Sequence, residues 1–150
     1  MQLWAAHEID ASRITENLYQ GSAPVEGTAL SRAGFSVLIL SAVDHQPSAD
    51  RFPGLEVIRV PLRDCEPNAF EITAARRAAA TVASRVRGGQ KVLVTCWMGR
   101  NRSGWIVGHA LRFLGASGPN AVRIVQKRRV QALGNAHFTR DIEQLGAVRT

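Results

Sequence analysis

Residues 91–104, KVLVTCWMGRNRSG, constrain this chain more than any other stretch. An apolar run of strand character leads into a short polar loop. Beyond the loop, Ile106, Val107, Ala110, Leu111, Phe113 and Leu114 are apolar around most of a helical circumference. Neither flank can face water: the strand reads as one covered on both faces, and the helix as one buried against a sheet. A strand followed at once by a buried helix is the unit of α/β domains. The order also has a chemical consequence. A loop that leaves the C-terminal end of a strand and enters a helix N-terminus aims unpaired backbone N–H groups, and the positive end of the helix dipole, at one spot.

The rest of the chain has the same grammar. Runs rich in Val, Ile and Leu predict strands within residues 14–20 and over 36–40, 55–60 and 91–95. The last two are nearly continuous apolar runs, as central strands are. Ile72, Ala75, Ala79, Val82 and Val86 recur at helical spacing and predict a helix over 68–87, stopped by Gly88 and Gly89. Further helices are expected from Arg102 to the stop at Gly115, from about Pro119, and after a capping Asn135 with Phe138, Ile142 and Leu145 on one face. At 150 residues and 45% hydrophobic content, with no repeat and no linker, residues 1–150 are expected to form one domain. No run approaches the roughly 18 apolar residues of a membrane span. The start, MQLWAAHEIDASR, lacks the basic end and apolar stretch of a signal peptide, so a cytoplasmic location is expected.

The loop's residue types point to chemistry on an anion. Gly99 lets successive amides curl into a nest. The field that would bind phosphate also stabilises a thiolate at Cys96, which makes it a ready nucleophile. Arg102 closes the loop with a planar fork able to grip two phosphate oxygens, and the Ser103 hydroxyl can donate a hydrogen bond to the sulfur. Two cysteines, Cys65 and Cys96, make a poor disulfide framework. His7, His45, His109 and His137 are scattered singly with no zinc-type spacing, so no metal site and no cofactor are expected. The net charge of +7 attracts anions: phosphoproteins, inositol lipids or nucleic acid. Arg123, Lys127, Arg128 and Arg129 read as a solvated helix face.

Cys96, Gly99, Arg102 and Ser103 match the C-x-x-G-x-x-R-S form of the C-x5-R signature, and on these residues the chain resembles the dual-specificity branch of the protein tyrosine phosphatase superfamily. The segments ITENLYQGS at 14–22, residues 36–41 and residues 132–138 extend the resemblance over most of the chain. It implies an α/β fold with a central, mainly parallel or mixed sheet of about five strands flanked by helices. It implies a phosphate cradle built from Trp97, Met98, Gly99, Arg100, Asn101 and Arg102, with Cys96 attacking phosphorus. It also implies a general acid on a loop, the position of Asp64, 32 residues before Cys96. Glu66, Asp44 and Asp50 are its rivals.

One departure is Thr95, where the family usually has a histidine that supports the loop. Cys65, beside the acid, reads either as a resolving thiol for oxidised Cys96 or as a small buried residue. Arg100 reads as a holder of additional phosphates or as a rim charge, and Trp97 as the pocket mouth or an anchor in the core. The implied substrates are phosphotyrosine proteins, with phosphoserine and phosphothreonine accepted. A phosphoinositide, an RNA 5′ end and a non-catalytic phosphate-binding role are the alternatives.

Overall fold

The structure, a computed structural model, describes residues 9–148. His7 and most of the start read for a leader lie outside them. The chain opens with a hairpin of β1 (Ala11–Thr15) and β2 (Leu18–Gly21), turned by Asn17 at φ 66°, a backbone state asparagine tolerates. A one-turn helix α1 (Ala29–Arg32) precedes β3 (Val37–Ala42). A 3-10 turn (Ala49–Arg51) and β4 (Glu56–Leu62) follow. Then come α2 (Ala69–Arg87), β5 (Val92–Thr95), α3 (Arg102–Phe113), α4 (Gly118–Arg128) and α5 (Ala136–Glu143).

The five strands lie in the order β1-β2-β5-β3-β4; β2, β5, β3 and β4 run parallel and β1 antiparallel at one edge. This is the mixed sheet flanked by helices that the sequence predicts. The apolar runs at 55–60 and 91–95 have different fates. β5 is central and wholly buried, but β4 is the other edge, with Glu56, Arg59 and Pro61 exposed. Proline cannot donate to a ladder, so it is confined to such an edge. The second fully buried strand is β3, all six of whose residues are covered.

Three of the helices are started by a side-chain cap. Asn68 and Glu71 form a capping box at α2, typically worth about 1 kcal/mol. Ser117 accepts from Asn120 N–H at α4, and Asn135 accepts from the N–H groups of His137 and Phe138 at α5. Leu145, expected on the last helix, lies beyond its end. Helices α2 to α5 cover one face of the sheet around Val37, Ile39, Val92, Val94, Trp105, Ile106 and Phe138. Short elements cover the other face around Leu30, Phe35, Leu38, Phe52 and Leu93. Every residue of α3 from Arg102 to Arg112 is buried, which fixes the orientation of the loop that feeds it.

Candidate active site

Thr95 ends β5 level with Gly21 of β2 on one side and Leu40 of β3 on the other. Residues 96–101 therefore leave the sheet outside the carboxyl ends of three parallel strands, where open α/β sheets bind ligands. Thr95 Oγ1 donates to Ile39 O (2.7 Å), and Ser41 Oγ donates to Thr95 O (2.6 Å). The residue that departs from the family pattern thus ties β5 to β3.

The loop's carbonyls are held from outside. Ala23 N–H donates to Trp97 O (3.0 Å), Arg129 Nη2 to Met98 O (3.4 Å) and Leu133 N–H to Arg100 O (3.0 Å). Gly99 O accepts from both Gln20 Nε2 (3.1 Å) and Arg129 Nε (2.5 Å). In a trans peptide the N–H lies opposite the C=O, and no described peptide is cis. Pinning these carbonyls outward turns the amides of residues 98–101 the other way, as an anion nest requires. Gly99 has φ 70°, and a Cβ there would lie 2.6 Å from the Gly21 carbonyl carbon. Only glycine meets both conditions.

Cys96 is 4% exposed, with Ser103 Oγ 3.2 Å from its Sγ. Arg102 Nη1 donates to Asp44 Oδ1 (2.7 Å) and to Leu62 O (3.2 Å), while its buried Nε has no partner. The guanidinium holds the Asp44 carboxyl below its ordinary range. A cleft of about 180 Å³ opens here, lined by Cys96, Arg102, Asp64 and the side of the loop formed by Trp97, Met98, Arg100 and Asn101. A larger groove of about 350 Å³, between Thr15, Val86, Leu114 and Ile124, contains none of the predicted site residues.

Asp64 comes to this cleft from the segment between β4 and α2. Its Oδ2 accepts from Asn101 Nδ2 (3.0 Å) and its Oδ1 from Asn135 Nδ2 (2.9 Å), which also donates to Cys65 O (3.2 Å). The segment is anchored at Arg63, whose backbone N–H donates to Glu71 Oε2 (3.1 Å). Hydrogen bonds from the Arg63 side chain pull the Glu71 carboxyl down to about 2. None of the rival carboxylates lines the cleft: Asp44 is beside it, paired with Arg102, Asp50 is bonded to Ser48, and Glu66 lies 4.0 Å from His137 Nδ1.

Other expectations are decided by position. Trp97 is at the mouth, 48% exposed, with His45 edge-on at 4.9 Å. Arg100 is exposed at the rim. Cys65 is exposed, which removes the reading of a small buried residue, and both cysteines are free thiols. Arg123, Lys127 and Arg128 are exposed as expected, but Arg129 is not: its side chain is 10% exposed and also donates to Asp10, Ser12 Oγ and Gln20 O. Gln20 and Arg129 went unread as site residues. Gln20 had a signal, since it shares with Leu18 the inward face of a strand where an amide is out of place. Nothing in the pattern around Arg129 marks it.

No protein-family model matches the chain. Human dual specificity phosphatase 28 is 30% identical over 135 residues, 88% of this chain and 75% of that protein. The crystal structure of a mouse putative dual specificity phosphatase complexed with zinc tungstate superposes with TM-score 0.77 at 29% identity, covering 89% of this chain and 84% of that one. The crystal structure of human DUSP28 superposes with TM-score 0.78 at 27% identity, covering 91% and 92%. With the strand–loop–helix cleft around Cys96, this likeness over nearly the whole length means that the chain belongs to the dual-specificity branch of the cysteine-dependent protein tyrosine phosphatases.

Proposed function

We propose that Cys96 is the nucleophile, that Arg102 and the loop amides hold the phosphate, and that Asp64 is the general acid, within one catalytic domain. The observation that carries this reading is the convergence on one cleft of a buried thiol, a guanidinium with an unpartnered N–H and an anchored carboxyl. The Cys96 thiolate attacks phosphorus, forming the S–P bond as the P–O bond to the leaving group breaks. Asp64 gives its proton to the departing oxygen. Asp64, now a carboxylate, takes a proton from a water that attacks the phosphocysteine, and the sulfur leaves with its electron pair. Free phosphate and the starting enzyme result. Arg102 follows the equatorial oxygens through both steps, releasing Asp44 as it does so.

The substrate we assign is phosphotyrosine on protein. The narrow cleft and its mouth of Trp97, His45 and Met98 suit an aryl ester, with phosphoserine and phosphothreonine reached less readily. Arg100 at the rim supports a second reading, a phosphoinositide or RNA 5′ end carrying further phosphates. Turnover of phosphotyrosyl and phosphoseryl peptides, a phosphoinositide and a 5′-phosphorylated RNA, with chelator present, separates these. A preference for the lipid or RNA overturns the assignment. Binding without turnover of any of them makes the chain a phosphate-binding module, and full activity in Cys96→Ser removes Cys96 from the chemistry.

A further inference from the structure

We propose that Gln20 is a positioning residue that aims the Ser103 hydroxyl at the Cys96 sulfur. The inference rests on Cys96 being the nucleophile. Gln20 is wholly buried at the end of β2, and its Nε2 lies 3.1 Å from Gly99 O, 3.5 Å from Arg100 O and 3.2 Å from Ser103 Oγ. Carbonyl oxygens only accept, so the amide has to present its nitrogen here; turned over, it would set oxygen against oxygen. One N–H of Gln20 therefore goes to Gly99 O and the other to Ser103 Oγ.

That leaves the Ser103 hydroxyl with one proton to place. Gly99 O, one turn back on the chain, has two lone pairs, and both are taken by Gln20 Nε2 and Arg129 Nε. Cys96 Sγ lies at 3.2 Å: as a thiol it donates to Ser103 Oγ, and as a thiolate, with no proton of its own, it is the acceptor that remains. Toward the thiolate the hydroxyl is thus a fixed donor rather than a free rotor. It stabilises the thiolate before attack, and again when water breaks the S–P bond and the sulfur leaves as an anion. The position carries a cost, because Gln20 Oε1 is buried without a partner. An apolar side chain of similar size would bury no such atom. What the amide supplies and a leucine could not is the N–H that orients Ser103.

The test uses a Cys65→Ser background, in which Cys96 is the sole cysteine. Inactivation by iodoacetamide is followed against pH, and p-nitrophenyl phosphate turnover is followed in steady-state and burst experiments. Gln20→Leu and Gln20→Met should both move the inactivation midpoint up by about half to one pH unit. They should lower kcat about 5- to 30-fold while keeping the burst, because release of the sulfur slows. Ser103→Ala should do the same, and adding Gln20→Leu to it should change neither quantity by more than about twofold. An unshifted midpoint in the Gln20 variants, or a full further loss in the double variant, overturns the proposal. Ser103→Ala with an unshifted midpoint overturns it without any Gln20 variant. If Cys96→Ser turns over normally, the failure belongs to the assignment of Cys96, not to Gln20.

Discussion

Helix α3 carries two buried polar clusters of opposite kinds. At its N-terminus, Arg102 leaves a buried Nε unpartnered and Ser103 Oγ lies 3.2 Å from a thiol that lines a cleft. One to two turns on, Trp105 Nε1 (2.9 Å) and His109 Nε2 (2.7 Å) both donate to Asp141 Oδ2 of α5, and Arg76 of α2 donates to Oδ1. Arg112 Nη1 donates to His109 Nδ1 (2.8 Å) and its Nε to Gly146 O (2.9 Å). The second cluster closes on itself through Asp141, with the buried Arg76 Nε as its one spare donor, and binds α2, α3, α5 and the C-terminal segment into one unit beside the stacked rings of Trp105 and Phe138. The first is open to a ligand. A buried network whose donors converge on a carboxylate of its own rigidifies a fold, whereas a spare donor beside a thiol in a cleft marks a place built for something that comes and goes.

The largest effect that would break this contrast comes from the open end. Cys96→Ser should abolish turnover while leaving the thermal midpoint within a few degrees and retaining vanadate binding, since the amides and Arg102 survive. Residual activity, or a large loss of stability, would erase the distinction between the two clusters. Next, Asp64→Asn should slow an alkyl or tyrosyl phosphate about 10²–10⁴-fold, spare a good leaving group and flatten the alkaline limb of the pH–rate profile. Glu66→Gln should change neither; the reverse result would move the acid by two residues.

Asp141→Ala tests the closed end. Removing one partner of a buried ionic cluster costs about 3–5 kcal/mol, or roughly 6–20 °C in Tm for a chain of this size. The rate per folded molecule should be close to wild type, and a selective loss of rate would couple the two clusters. The smallest effect is the pH dependence of stability. Burial, with Arg112 and Arg76 nearby, depresses the His109 pKa from its ordinary 6.5 despite Asp141. Its accepting Nδ1 carries no proton. The unfolded chain then takes up a proton that the folded one refuses, so stability is full above about pH 6.5 and declines below it. Burial alone would raise Asp141, but hydrogen bonds from His109, Arg76 and Trp105 outweigh it and depress its carboxyl. A second decline therefore sets in below about pH 4. Thermal midpoints between pH 3 and 8 should show both, and His109→Gln should remove the first alone.

The closed cluster was invisible in the sequence. Arg76, His109, Arg112 and Asp141 come from three helices, and no spacing rule relates them. In the sequence His109 is one of four scattered histidines, and nothing sets it apart. The same holds for Arg129: its sequence neighbours are solvated, and only the approach of the hairpin and the Cys96 loop covers it. The apolar run of β4 predicts a central strand because such a run reports hydrophobicity and not neighbours; its place at the edge follows from the parallel pairing of β3 with β5 on its other side.

The sequence by itself determined the α/β class, the helix starts at Asn68, near Pro119 and at Asn135, and the order of thiol, glycine, arginine and serine along residues 96–103, because each depends on contacts a few residues apart. Only the tertiary structure decided which carboxylates face Arg102 and Cys96, what pins the loop's carbonyls and what orients Ser103. Those choices belong to residues 10, 20, 44, 64, 129 and 135, far apart in the chain, and a hydrogen bond between them exists only once the sheet and helices have fixed both ends.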